Sequence, residues 1–194
     1  MAVSQAHRDY LLAQAISDRY IGAVCDTEPD GVVFNFVGPT GRKAKQKRLD
    51  NPPNSGQRFI GPAGVPSVMP VPPGHADLVD NATIPLVVVE GSKGILAAAS
   101  ALEGTKGPPL AMVGVLGCWG WSSDGRPTDD LIGIPCTDRE VIILFDADAT
   151  SNRHVWDAAK ALESRTVAYR FFMRPSRSIP GIKVGSMASN TTHR

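Results

Sequence analysis

Glu90, Asp146 and Asp148 are the side chains of this sequence best placed by type and spacing to do chemistry together. Glu90 closes the apolar run IPLVVVE and is followed at once by Gly91, while Asp146 and Asp148 close VIILFDAD. A hard divalent cation such as Mg²⁺ prefers carboxylate oxygens, keeps several waters, and takes one or two protein carboxylates together with substrate phosphates. Spacing i, i+2 at a strand end lets Asp146 and Asp148 straddle one ion, directly or through water. Glu90 then serves as a general acid or base, or as a further ligand. Crowded carboxylates repel, and a bound metal or raised pKa values relieve that repulsion. Acidic residues after a strand also cap helices, and Asp148 lies near the start of one. An E-G after one buried strand combined with a D-x-D after another favours a shared site.

The elements that must position these carboxylates read as β-α-β-loop-β-α-β over residues 81–172. IPLVVVE is a continuous apolar run of the kind found in parallel strands buried on both faces. SKGILAAASALEG follows as a helix closed by Gly104. LAMVGVLG is the second strand, REVIILFD the third and TVAYRFF the fourth. A long loop, CWGWSSDGRPTDDLIGIPCTD, precedes the third strand, and a helix from about Ser151 or Asn152 to Ser164 follows it. The alternation predicts an α/β fold, a Rossmann-like parallel sheet flanked by helices and joined by right-handed crossovers. Ligand sites in such sheets form beyond the carboxyl ends of the strands. Adjacent first and third strands bring the three carboxylates to one edge.

Residues 1–80 predict a small α+β region. Ser4 to Tyr20 reads as one amphipathic helix, with Tyr10, Leu11, Ala15 and Ile16 on a face. GVVFNFVGPTGRKAKQKRLDN reads as a hairpin turning at Gly38-Pro39-Thr40-Gly41. Asn51 to Gly74, dense in Pro and Gly, reads as an irregular connector with at most one short strand near Phe59-Ile60, docked by Phe59, Ile60 and Val71. Residues 173–194 form a tail expected to be disordered.

Arg42, Lys43, Lys45, Lys47 and Arg48 make the hairpin's second arm basic. On that arm they either track a phosphate backbone or form a solvated edge whose lysines block sheet-to-sheet pairing. GPTGRK lacks the spacing and the strand-to-helix context of a phosphate loop, and Gly114, Gly117 and Gly120 miss the dinucleotide spacing. Trp119 and Trp121 suit packing over the sheet edge better than base stacking, and Trp156 suits the core.

Net charge of +1 gives no global attraction to nucleic acid or acidic membranes, so any such attraction has to be local. Hydrophobic content of 42% and charged content of 20% are those of a globular protein. No apolar run approaches the roughly 20 residues that cross a bilayer. Cys25, Cys118 and Cys136 form no CxxC pair, the four histidines have no zinc spacing, and no signal peptide is evident. These features predict reduced thiols in a cytoplasmic protein.

VVVEGSKGILAAASAL and VIILFDADATSNRHVWDAAKAL together resemble the TOPRIM domain of bacterial-type primases, topoisomerases and related nucleases. The nearer resemblance is to the DUF3854 group of TOPRIM-like domains in primase or replication proteins of phages, plasmids and integrated elements. It rests on Glu90-Gly91-Ser92-Lys93, on Gly117-Cys118-Trp119-Gly120-Trp121, and on the segment from Asp146 to Asn152. HRDYLLAQAIS, VVFNF, RLDNPP and QRFIGP are similar to that group's N-terminal region, so the likeness runs to about Phe172.

The resemblance implies that Glu90 is the TOPRIM glutamate and that Asp146 and Asp148 bind Mg²⁺ or Mn²⁺. It further implies roles near the site for Lys93, as a phosphate-binding charge at a helix start, and for Asn152. The implied function is primase-related: metal-assisted phosphoryl transfer on nucleotides or single-stranded DNA, alongside a helicase or other replication protein. A non-catalytic binding module and a TOPRIM nuclease are the alternatives. Two departures stand out: there are no ligands for a primase zinc module, and GIKVG is followed by SMASNTTHR where relatives continue into an acidic D-D segment. That ending reads as truncated or diverged, which leaves catalytic completeness open.

Overall fold

Helices and strands alternate along the chain in the computed structural model. It describes residues 2–53, 56–146 and 151–166, and the backbone of 170–173. Asp148, the start of the expected fourth strand and the expected tail from residue 174 onward lie outside the described residues.

In chain order the elements are α1 (Gln5–Ala13), α2 (Asp18–Val24), β1 (Cys25–Glu28), β2 (Gly31–Val37), β3 (Lys43–Leu49), β4 (Phe59–Ile60) and α3 (Ala76–Asp80). There follow β5 (Leu86–Glu90), α4 (Ser92–Leu102), β6 (Ala111–Val115), β7 (Ser122–Ser123), β8 (Arg126–Pro127), α5 (Asp129–Gly133), β9 (Val141–Phe145), α6 (Arg153–Thr166) and β10 (Arg170–Met173).

β5, β6, β9 and β10 form a four-stranded parallel sheet in the order β10-β9-β5-β6. Alternation along β5 divides its side chains between two cores. Val87 and Val89 join Met112, Ile95, Leu96 and Ala99 on the α4 face. Leu86 and Val88 join Val113, Val115, Ile143, Phe145 and, from α6, Val155, Ala158 and Leu162 on the other. The protein is thus mixed α/β, with helices against both faces of the parallel sheet.

The N-terminal strands form a second, antiparallel sheet in the order β1-β2-β3-β4. Its Val32, Phe34, Phe36 and Ala44 bury into the same cluster as α4, together with Leu11, Ile16, Tyr20 and Ile21 of the leading helices. The first eighty residues and the parallel sheet therefore share a core.

Several expectations need correction. The single helix from Ser4 to Tyr20 is two helices, because Ala15 adopts a left-handed φ of 62°. Ala15 N–H bonds Leu12 O and Ile16 N–H bonds Leu11 O, a Schellman closure whose hydrophobic contact is the buried pair Leu11 and Ile16. Trp156, expected in the core, is 37% exposed, since the buried stripe of α6 runs through its neighbours Val155, Ala158, Ala159 and Leu162. Phe59 and Val71 do dock the connector on the two cores, and buried Val68 and Met69, which were not expected, anchor it further. Its Pro70 carbonyl accepts from Gly114 N–H of β6 at 2.7 Å, which covers part of that edge strand. The long loop after β6 carries the small β7–β8 hairpin and α5, short elements with no periodicity to announce them.

Candidate functional site

From β5 the chain runs through α4 to β6 on one side, and from β9 through α6 to β10 on the other. The strand order therefore reverses between β5 and β9. That junction is a topological switch point, the crevice where open parallel sheets bind ligands. Glu90 ends β5 there, and Asp146 follows β9 directly.

The two residues meet. Asp146 N–H donates to Glu90 Oε2 at 3.4 Å. Glu90 is half-buried and Asp146 exposed. Gly91 turns the chain into α4 with φ 78° and ψ 150°, a conformation essentially reserved for glycine, while its N–H bonds Val115 O. This turn holds Glu90 on the end of β5 and against β6. Among the described residues no group of three His, Cys, Asp or Glu gathers to hold a metal ion. Glu90 and Asp146 nonetheless carry the donor type a hard divalent cation uses, carboxylate oxygen from one or two residues.

Lys93 and Asn152, also expected at the site, have partners of their own. Lys93 donates to Tyr10 Oη at 3.0 Å and Gln14 Oε1 at 3.2 Å, with its ammonium 5.4 Å from the Tyr10 ring centroid. Lys93 is thus held down on α1. Asn152 caps α6: its Oδ1 accepts from His154 N–H at 3.1 Å.

The basic arm is largely neutralised. Lys45 pairs with Glu28, and Lys47 with Glu28 and Asp30. Those ammonium donors hold the Glu28 carboxyl below its ordinary range, and the Glu28 and Asp30 carboxylates raise Lys47. Arg48 pairs with Asp50 and lies 4.2 Å over the Tyr10 ring. Arg42 reaches Asp130 at 3.4 Å, and Lys43 is exposed. The arm does lie beside the candidate site, because Ser92 at the start of α4 donates to Gln46 of β3.

Residue types alone gave no signal for four features. Asp130 is fully buried and accepts from Met69 N–H at 2.9 Å and from the Thr40 hydroxyl. Arg139, also buried, donates to the carbonyls of Leu78, Val79, Ile84 and Pro135 and closes the end of α3. Tyr10 ties α1 to both β3 and α4. Finally, Trp121 is buried under Trp119, with ring centroids 5.6 Å apart, and Trp119 meets the His154 ring at 5.9 Å.

The cysteines carry no disulfide. Cys118 and Cys136 pack against the α6-face core as small side chains, and burial pushes the Cys25 thiol up to about 12. Among the described residues no helix is long and apolar enough to cross a membrane. Compared with protein-family models, curated proteins and solved structures, the chain matches none.

Proposed function

We propose that this protein is a TOPRIM-like, primase-related protein that carries out divalent-metal-assisted phosphoryl transfer on nucleotides or nucleic acid. One observation carries the reading: Glu90 and Asp146 meet at the switch point of a parallel sheet. Asp146 and Asp148 would hold Mg²⁺ or Mn²⁺, and Glu90 would complete the ion's shell or move a proton at its carboxylate. A bound ion supplies charge neutralisation at the transferring phosphoryl group. Lys43, exposed on the strand whose Gln46 bonds Ser92, would attract phosphates.

The experiment is calorimetric titration of Mg²⁺ and Mn²⁺ into the wild type and into folded Asp146→Asn/Asp148→Asn, followed by primer-synthesis and strand-cleavage assays. Metal-dependent products that vanish in the double variant support the reading. New primers separate a primase from a nuclease, which leaves cut strands. Activity that persists unchanged without divalent metal rejects it.

A second reading, a non-catalytic module that recruits nucleic acid or a replication partner such as a helicase, is favoured by the commitment of Lys93, Lys45 and Lys47 to internal partners. On that reading binding survives Glu90→Gln and no turnover is detected.

A further inference from the structure

We propose that Trp119 and His154 form a stacking ledge for an unpaired nucleobase at the carboxyl edge of the sheet that Glu90 also ends, an inference that rests on the nucleic-acid reading above. Trp119 lies in the loop that leaves β6, whereas His154 is the second residue of α6, after β9. Between β6 and β9 stands β5, so the ends of the outer two are separated by about 10 Å, two strand spacings. Yet the two rings are 5.9 Å apart, centroid to centroid. The loop and the start of α6 therefore converge on the face of the sheet that α6 covers, towards the carboxyl ends of the strands.

The sheet face agrees. Glu90 continues the alternation of Leu86 and Val88, whose core also contains Trp121 and is packed by Trp119. Carboxylate and aromatic pair thus occupy one face at one edge.

The two tryptophans divide the work. Trp121, at 3% exposure, serves the core and backs Trp119 at an interplanar angle of 29°. Trp119 is partly buried, with its indole nitrogen enclosed, and its other neighbour is an exposed polar ring tilted by 53°. The backbone of His154 is fixed by the Asn152 cap, so this ring is presented from a rigid helix start. Such a platform suits the π-face of any base. The charge balance of the basic arm favours the same conclusion: with Lys45, Lys47 and Arg48 paired internally, few of the arm's own cations remain to release counterions from phosphate. Stacking then supplies most of the affinity, and binding depends weakly on salt.

The test is fluorescence anisotropy with labelled oligothymidine of about ten nucleotides, within the span of known single-strand sites, against an abasic strand of equal length. The wild type should prefer the strand with bases, over a range of salt. Trp119→Ala and His154→Ala should each weaken that binding on the order of tenfold, with Trp119→Phe retaining most of it and Trp156→Phe leaving it unchanged. His154→Ala removes an exposed ring, so it reports even if Trp119→Ala fails to fold. Thymidine monophosphate that competes fully assigns the ledge to a nucleotide, and competition by the strand alone assigns it to single-stranded DNA. Equal affinity for both strands, or full affinity in folded His154→Ala, overturns the ledge and leaves the nucleic-acid reading standing. Binding of neither strand, with no competition, overturns both.

Discussion

Asp146 N–H points its hydrogen bond at Glu90 Oε2, 3.4 Å away, across the ends of two parallel strands that lie 56 residues apart in the chain. Glu90→Gln keeps an amide oxygen to accept that N–H, so stability in urea should stay within about 0.5 kcal/mol of wild type. The proposed metal-dependent phosphoryl transfer should fall by about a hundredfold or more, the scale of a lost acid–base group. Parallel urea melts and turnover assays check both. A variant that loses stability while keeping turnover would make Glu90 a structural residue.

Burial predicts a second, purely structural effect at Asp130. This carboxylate joins three segments: Thr40 and Arg42 of the hairpin turn, Met69 of the connector, and α5 itself. Gly38 passes so close that an added Cβ would sit 2.8 Å from Asp130 Oδ2. Asp130→Ala leaves the Met69 N–H, the Thr40 hydroxyl and the Arg42 guanidinium short of an acceptor in a closed space. Removing one partner of a buried charged network costs about 3–5 kcal/mol, and chemical denaturation should show a loss at the lower end, because Arg42 retains contact with water.

How far the sequence reveals this molecule depends on the range of each interaction. The parallel strands and their helices are legible because burial marks the sequence: LVVVE, AMVGV and VIILF are continuous apolar runs, and Val155, Ala158, Ala159 and Leu162 recur at helical spacing. Placement of Glu90 at the carboxyl edge follows from the same runs. The strand order does not, since β9 pairing with β5 rather than β6 is decided by tertiary packing. Nor do the fates of the cations. Lys93 looks like an available phosphate ligand until α1 folds Tyr10 and Gln14 over it, and β3 looks strongly basic until β1 brings Glu28 alongside. Those partners stand 83, 79 and 17 residues away, beyond any local pattern.

A pH dependence follows from His75. The ring is buried between α3 and the start of β6, and burial, with a smaller push from the Arg19 charge, lowers its pKa against a hydrogen bond to the Leu110 backbone. An unfolded histidine takes up its proton near pH 6.5, whereas folded His75 does so only at lower pH. Between those values the unfolded state binds more protons, so stability rises with pH. The contribution is fully present above about pH 6.5, declines as pH falls through the window below it, and levels off once the folded ring also protonates. Urea midpoints between about pH 7 and pH 5 should fall more steeply for wild type than for His75→Gln, whose amide can still donate to Leu110. Equal slopes would assign the acid sensitivity to other groups.

Ala15 offers a change in the opposite direction. It occupies the residue after the C-cap of α1 with φ 62°, where an L-residue with a Cβ is strained by about 1–2 kcal/mol. The closure is otherwise well made: the Ala15 and Ile16 N–H groups satisfy Leu12 and Leu11 carbonyls, and Leu11 and Ile16 are both buried. Ala15→Gly removes the strain and keeps those bonds. Glycine also frees the unfolded chain, which takes back about 0.4–1 kcal/mol. The balance is a stabilisation of about 0.5–1 kcal/mol, readable as a higher urea midpoint with an unchanged slope. Ala15→Val should lower the midpoint, because a β-branched side chain is the least tolerant of positive φ. If glycine destabilised and valine did not, the break between α1 and α2 could not rest on a left-handed Ala15, and the two would have to join as the single helix that the amphipathic pattern suggests.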